Sequence, residues 1–273
     1  MIIVQITDTH IKAGGKLAYR KVDSAKALRD CVAHVNGLVP RPDVAIMTGD
    51  LADVGRPSEY AVFRKIVDRL AMPFFVIPGN HDERGAFRDA FADQAYLPRD
   101  GDFLHYAIEA HPIRLVGLDT TVPGKPFGMM CEARLAWLDD CLRQAPDRPT
   151  LVFMHHPPFL TGIEHMDAQN CRNGDALGAL LARHPQVRQL TCGHVHRPIQ
   201  LNWHGLTASI GPSPSHSVSL DLRPNGPSAF VLDPPACRIF YEAGDGNLVG
   251  HLSFIGNFDG PHPFFDASGA IIE

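Results

Sequence analysis

Ile2-Ile3-Val4-Gln5-Ile6-Thr7-Asp8-Thr9-His10 sets a pattern that recurs four times: a short apolar run followed at once by potential metal ligands. Val44-Ala45-Ile46-Met47 leads into Gly49-Asp50, and Phe74-Phe75-Val76-Ile77 leads into Gly79-Asn80-His81-Asp82. Leu151-Val152-Phe153-Met154 leads into His155-His156-Pro157, and the run from Val187 to Cys192 leads into Gly193-His194-Val195-His196. An apolar run bounded by polar residues reads as a buried strand ending in a functional loop. In layered α/β folds the loops at the carboxyl ends of neighbouring strands share one crevice, so these five are expected to converge.

Helix-compatible stretches lie between the runs. Val22 to Val39 has helical apolar spacing and stops at Pro40; Ser58 to Leu70 follows Pro57, with Ser58 as a cap; and Arg84 to Ala92 follows the third motif. Two further helices are expected over about Glu132 to Arg143 and Asp175 to Arg183. Phe103 to Glu109 and Ile113 to Leu118, separated by Ala110-His111-Pro112, read as a hairpin. This alternation predicts a mainly parallel central arrangement with helices outside. After His196 the texture becomes short apolar runs separated by Gly, Pro, Asn and Asp, which predicts an all-β region. The expected division is therefore a catalytic core over 1–198, a β-rich cap or dimerisation region over 199–253, and a C-terminal segment over 254–273 packing on the core.

Composition agrees with a compact globular chain. Its 273 residues are 45% hydrophobic and 20% charged, with ample length for a core. A net charge of −5 gives no electrostatic reason to expect a nucleic acid or an anionic membrane as partner. The chain starts directly on the Ile2–Ile6 run, with no basic segment and apolar leader, which reads as cytoplasmic. Cysteines 31, 131, 141, 171, 192 and 237 form no Cys-x-x-Cys pair and are expected to be free thiols.

Chemically, the ligand types point to two cations. A pair of divalent ions roughly 3.5–4 Å apart polarises phosphoryl oxygens and lowers the pKa of water. Such a pair needs a bridging carboxylate, and Asp50, alone after its strand, is the natural choice; Asp8 and His10 can share one ion from a single turn. Mixed Asp, Asn and His donors suit Fe, Mn, Co or Zn better than Ca or Mg. The absence of a Cys ligand removes the usual structural-zinc reading. Taken singly, each motif could equally be a turn or a buried polar pair.

In order and spacing, D-x-H, GD, GNHD, HHPP and GHVH together resemble the calcineurin-like metallophosphoesterase superfamily from Asp8 to His196. Within it, the Asp8-Thr9-His10 start, the GNHD and HHPP motifs and the length look most like bacterial class III cyclic-nucleotide phosphodiesterases and the related glycerophosphodiesterases. The resemblance implies a four-layer αββα sandwich of two mixed β-sheets flanked by helices, with a dinuclear site at the strand ends. It implies that Asp8, His10 and His196 hold one metal, that Asn80, His155 and His194 hold the other, and that Asp50 bridges them. It also implies attack on phosphorus by a metal-bound hydroxide, with His81 stabilising the transition state or protonating the leaving alkoxide, or else only orienting a ligand. Asp82 and His156 are then supporting residues, and His216, in the Ser213-Pro214-Ser215-His216 loop, is placed near the cavity. The cap implies a homodimer or higher oligomer.

Arg84 and Arg197 are the basic residues nearest the motifs, so no monoester clamp is evident. The substrate expected is a small phosphodiester, such as cAMP or a glycerophosphodiester. A phosphomonoesterase or protein phosphatase on the same metal core is the alternative; a non-catalytic interaction protein would require decayed ligands, and this set is complete.

Overall fold

The computed structural model describes all 273 residues. Strand β1 (Ile2–Ile6) leads through helix α1 (Ser24–Asn36) to β2 (Val44–Thr48), and α2 (Pro57–Val67) leads to β3 (Phe74–Ile77), followed by α3 (Arg84–Ala90). Strands β1, β2 and β3 are parallel neighbours. A hairpin of β4 (Tyr106–Ile108) and β5 (Arg114–Leu118) opens the second half. Helix α4 (Glu132–Arg143) precedes β6 (Thr150–Met154); the short α5 (Glu164–Asp167) and α6 (Gly174–Leu181) precede β7 (Val187–Cys192). Then come β8 (Ile199–Trp203), β9 (Leu206–Ile210), β10 (Ser217–Val218), β11 (Phe230–Val231), β12 (Ala236–Glu242) and β13 (Leu248–Phe254).

These strands make two mixed sheets, ordered β13-β12-β1-β2-β3 and β4-β5-β6-β7-β9-β8. Their centres are parallel, and antiparallel strands close three of the four edges, the fourth being the parallel β3. The period-2 alternation of strands assigns each side chain a layer. Leu115, Leu151 and Phe153 join the core shared with the first sheet and α1, α2 and α3, whereas Val116, Leu118, Val152 and Met154 join the core under α4 and α6. The architecture is therefore the expected αββα sandwich. At Gly117 the sheets approach so closely that a Cβ would lie 3.0 Å from Ile77 and 2.8 Å from Tyr106.

Local chemistry explains the helix starts. The Asp23 carboxylate accepts from Lys26 N at 2.9 Å and begins α1 at Ser24. In α2 the expected cap at Ser58 is replaced by Arg56, because Pro57 suits the first helical position and Glu59 accepts from Arg56 N at 3.1 Å. Helix α1 ends at Asn36 with Gly37 following, short of Pro40.

The region after His196 corrects the expected division. Its strands do not stand apart as a cap: β8 and β9 extend the second sheet, and β12 pairs with β1 to extend the first. Each parallel core leaves an open strand edge, and these segments satisfy its hydrogen bonds. Only the β10–β11 ribbon lies outside the two sheets. Nor does the C-terminal segment pack on the core throughout: Ile255 is buried, but every residue from Gly256 onward is exposed. All six cysteines are free thiols, and no helix is long and apolar enough to cross a membrane.

Candidate metal centre

The five ligand loops meet at the carboxyl ends of β1, β2, β3, β6 and β7, where the two sheets face each other. Below them, Gln5 fastens one sheet to the other. Its Nε2 donates to Thr48 Oγ1 at 2.9 Å and to the Cys192 carbonyl at 2.8 Å, while its Oε1 accepts from Thr191 Oγ1 at 2.9 Å.

The donor atoms fall into two adjoining groups. In one, His196 Nε2 lies 3.3 Å from Asp8 Oδ1 and 3.2 Å from His10 Nε2, which is 3.6 Å from Asp50 Oδ2. In the other, His155 Nε2 lies 3.0 Å from Asn80 Oδ1 and 3.4 Å from Asp50 Oδ1. Asp50 thus presents one oxygen to each group. His194 stands beside the second, its ring centroid 5.1 Å from that of His155.

Backbone carbonyls orient three of the imidazoles. His155 Nδ1 donates to Thr48 O at 2.8 Å, His196 Nδ1 to His216 O at 3.2 Å, and His81 Nδ1 to Asp53 O at 2.6 Å. A carbonyl only accepts, so each Nδ1 carries a proton and each Nε2 is turned inward; for His155 and His196 this is the usual support of a metal-binding histidine. The Asp8 carboxylate is fixed by Thr7 Oγ1 at 2.6 Å and His194 N at 3.0 Å.

The backbone is strained where the ligands are carried. Asp8, His10, Asp50, His194 and His196 all have left-handed φ values between 43° and 73°, although none is glycine. Each such residue costs roughly 1 kcal/mol or more, and strain of this kind collects at functional sites. The loops also approach very closely: a Cβ on Gly79 would lie 2.2 Å from Asp50 Oδ1, and one on Gly193 2.2 Å from Thr7 Oγ1.

Electrostatics divides the groups by protonation. Burial pushes Asp50 and Asp8 upward, but the neighbouring histidines outweigh it, so Asp50 lies well below the carboxylate range and Asp8 falls to about 2. Burial drives His10 and His156 well below 6.5 and His194 to about 3, leaving neutral rings. For His155, burial opposes the charge, yet Asp50 and Asp8 overcome it and raise the group to about 9. A buried carboxylate pair with one histidine proton held against it is a site short of positive charge. His194 Nε2 and His10 Nδ1 are buried without any hydrogen-bond partner. This borderline donor set, with its orphaned His194 nitrogen, fits a dinuclear divalent-metal site. Groups drawn from these residues, among them Asp8, His10 and His196, converge closely enough to hold ions.

The remaining sequence candidates take definite places. His81 is half-buried and points Nε2 toward Asp50 Oδ2 at 4.0 Å. Asp82 accepts from Leu51 N, Ala52 N, Gly79 N and Tyr60 Oη, so it ties the second ligand loop to the third. His156 meets Thr120 Oγ1 at 2.8 Å behind the site. The His216 ring packs 4.5 Å from that of His196. Arg84 is bound by the buried Asp119 at 2.7 Å and by Thr121 O, and Arg197 by Val218 O and Asp233. Four residues near the centre carried no signal in the sequence. Asp53 pairs with Lys12 and lies 3.8 Å from His10 Nδ1, and Tyr19 and Phe230 reach the site from outside the ligand motifs. Asp-x-x-Asp spacing after β2 could have suggested Asp53; nothing local distinguishes the other three.

A cavity of about 360 Å³ opens onto the donors and is lined by Tyr19, His216 and Phe230, which pack together, and by His165, Met166 and Gln169. A second, of about 260 Å³, meets it at Asn80 and His81 and is bounded by Arg84 and Val122 to Gly124. A larger cavity of about 850 Å³, between α1 and residues 232–257, is lined by none of the candidate ligands.

Known proteins agree with this geometry. A protein of Arcobacter nitrofigilis named "Probable glycerophosphodiester phosphodiesterase GpdQ" is 44% identical over all of both chains. The glycerophosphodiester phosphodiesterase GpdQ of Enterobacter lignolyticus is 33% identical over 96% of this chain and 94% of its own. The 3',5'-cyclic adenosine monophosphate phosphodiesterase CpdA of Escherichia coli is 31% identical over 90% of this chain and 87% of its own. In fold, the crystal structure of a dimetal phosphatase from Danio rerio superposes with a TM-score of 0.64 at 16% identity, covering 94% of this chain and 99% of that one. Residues 1–198 match the family described as calcineurin-like phosphoesterase, and with the ligand loops, the sandwich and these relatives in agreement, the chain belongs to that family.

Proposed function

We propose that the protein hydrolyses small phosphodiesters, of the glycerophosphodiester or cyclic-nucleotide kind, with two divalent first-row metals. One observation carries the choice of a diester: two cavities, of about 360 and 260 Å³, meet at Asn80 and His81, and the larger is lined by no lysine or arginine. A diester has one negative charge and two substituents, so it needs two spaces and no added cation. The two arginines nearest the motifs are engaged by Asp119 and Asp233. The α5 loop is also joined to the 219–229 loop: Asn225 N donates to Glu164 Oε2, and a Cβ on Gly162 would lie 3.2 Å from Leu222.

In this reading Asp8, His10 and His196 would hold one metal and Asn80, His155 and His194 the other, with Asp50, whose two oxygens face different groups, available to both. When bound, the pair supplies polarisation of the phosphoryl oxygens and a lowered pKa for water. The chain's own residues do the rest. Carbonyls of Thr48 and His216 keep His155 and His196 in the tautomer that presents Nε2. The Asp53 carbonyl does the same for His81, whose Nε2 faces the cavity floor. Burial works against a charge on His81, but Asp50 and the Asp53 carbonyl more than offset it, so its pKa lies above the ordinary value. That direction favours a proton on the Nε2 that faces the cavity floor, the form that can protonate a leaving alkoxide.

Metal identity follows the donors toward Fe, Mn, Co or Zn, and pairing of copies through the region after His196 is the assembly expected from the family resemblance. A screen of the metal-reconstituted protein against cyclic nucleotides, glycerophosphodiesters and phosphomonoesters tests the reading. Turnover confined to monoesters would overturn it.

A further inference from the structure

Tyr19 is placed at a cost. The turn from Ala18 to Val22 is closed by Val22 N to Ala18 O at 2.9 Å and by an isolated bridge between the same residues. At its tip Tyr19 and Arg20 both adopt left-handed backbones, with φ of 49° and 59°. Neither is glycine, so the turn is strained twice over. The strain is not repaid by core burial, since Tyr19 remains 50% exposed.

What the turn achieves is the position of one ring. Tyr19 lies 5.3 Å from His216 and 5.2 Å from Phe230, centroid to centroid, and Phe230 lies 5.5 Å from His216. His216 in turn packs against His196 at 4.5 Å. The rings form a continuous path from a candidate metal ligand to the cavity mouth. Phe230 is held there by the β10–β11 ribbon, where it pairs with Val218. That ribbon is the one strand pair that belongs to neither sheet. Two separate devices, a strained turn and an isolated ribbon, thus deliver two large half-exposed aromatics to the same wall of the 360 Å³ cavity. Met166 and Gln169 line the same cavity.

We infer that Tyr19 and Phe230 are specificity-determining residues: they form a subsite for a planar, ring-bearing substituent of the diester, of the kind a nucleoside offers, rather than for a flexible polyol. The inference rests on the diesterase reading and adds which substituent the wall selects. Aromatic faces reward flat partners by offset or edge contact, whereas a polyol keeps its hydroxyls hydrated and gains little from them.

The test uses the full-length protein loaded with two equivalents of Mn²⁺ and measures binding and turnover separately. Diphenyl phosphate and dimethyl phosphate are titrated calorimetrically into wild type, Tyr19→Ala, Phe230→Leu and Tyr19→Phe. Expected is a roughly three- to tenfold weaker binding of diphenyl phosphate in the first two variants. Dimethyl phosphate should change less than about twofold, and Tyr19→Phe should bind like wild type, because the ring and not the hydroxyl supplies the contact. Equal losses for both ligands, or none for either, would overturn the inference. Turnover of bis(4-nitrophenyl) phosphate and 4-nitrophenyl phosphate by wild type tests the underlying reading: hydrolysis of the monoester alone refutes the diesterase assignment, while the calorimetric ratio still decides the subsite.

Discussion

Raising the pH from 6.5 to 8 should weaken the metal-free protein relative to the metal-loaded protein. The group responsible is His155. Burial opposes a charge on its ring, but Asp50 Oδ1 lies 3.4 Å from Nε2, and that carboxylate, Asp8 and the Thr48 carbonyl lift its pKa to about 9. In the unfolded chain an imidazole titrates near about 6.5. A group whose folded pKa is raised contributes stability that is fully present below the unfolded value and is lost as the pH climbs through the folded one. Over this window the folded state keeps the proton and the unfolded state gives it up, at up to about 1.4 kcal/mol per pH unit. The expected loss is roughly 1–2 kcal/mol. His10 and His194 lie below 6.5 and are neutral in the fold, so they titrate only in the unfolded chain and raise stability with pH alike in both forms, cancelling in the difference, while Asp8 and Asp50 stay ionised. His81, also raised, acts in the same direction, and the measurement is therefore made in His81→Ala. Buried thiols such as Cys192, held above their ordinary range, contribute equally to both forms and cancel in the difference. Urea unfolding with chelator and with Mn²⁺ gives the two curves. A metal-free stability that does not fall relative to the metal-loaded one between pH 6.5 and 8 would refute the assignment of a proton to the His155–Asp50 pair.

Three other outcomes are expected. Asp50→Ala should hold at most one metal per chain by elemental analysis and lose diester hydrolysis, because its two oxygens face different donor groups; two tightly held metals would contradict the bridging role. His81→Ala should keep both metals yet lose turnover most severely on esters with poor leaving groups, and an equal loss on activated and unactivated esters would point instead to transition-state electrostatics. Gln5→Leu should lower unfolding stability by roughly 1–3 kcal/mol, since it leaves the Thr48 hydroxyl without its donor and the Thr191 hydroxyl without its acceptor in the core; an unchanged urea midpoint would show that the sheets do not depend on this link.

The sandwich and the convergence of ligands were legible because both are written locally. An apolar run ending in Asp8, Asp50, Asn80, His155 or His194 states strand, strand end and chemistry within a few residues. Helix α4 falls on Glu132–Arg143 as read, since its apolar spacing and length suffice. What escaped the sequence depends on pairing at a distance. Alternating apolar runs in β8, β9, β12 and β13 announce strands, but whether they form a cap or finish two existing sheets is decided by which edges remain open. Ser58 was a plausible cap by residue type, yet Glu59 took the task through its longer reach to Arg56 N and Val54 N. Tyr19, far from any ligand motif, becomes part of the cavity only because a twice-strained turn swings it there. Gln5 looks like a stray polar residue in a strand until the second sheet arrives to bond it.

The left-handed backbones at Asp8, His10, Asp50, His194 and His196 have a consequence for how this enzyme can change. A glycine at any of them would relax the main chain but delete a donor, so the residues that most oppose folding are the ones the chemistry can least spare. A laboratory selection for heat resistance should therefore enrich substitutions far from the centre, on helix faces and loop tips, and leave these five untouched. A selection for stability alone, with no demand for hydrolysis, should find them among its first and largest gains.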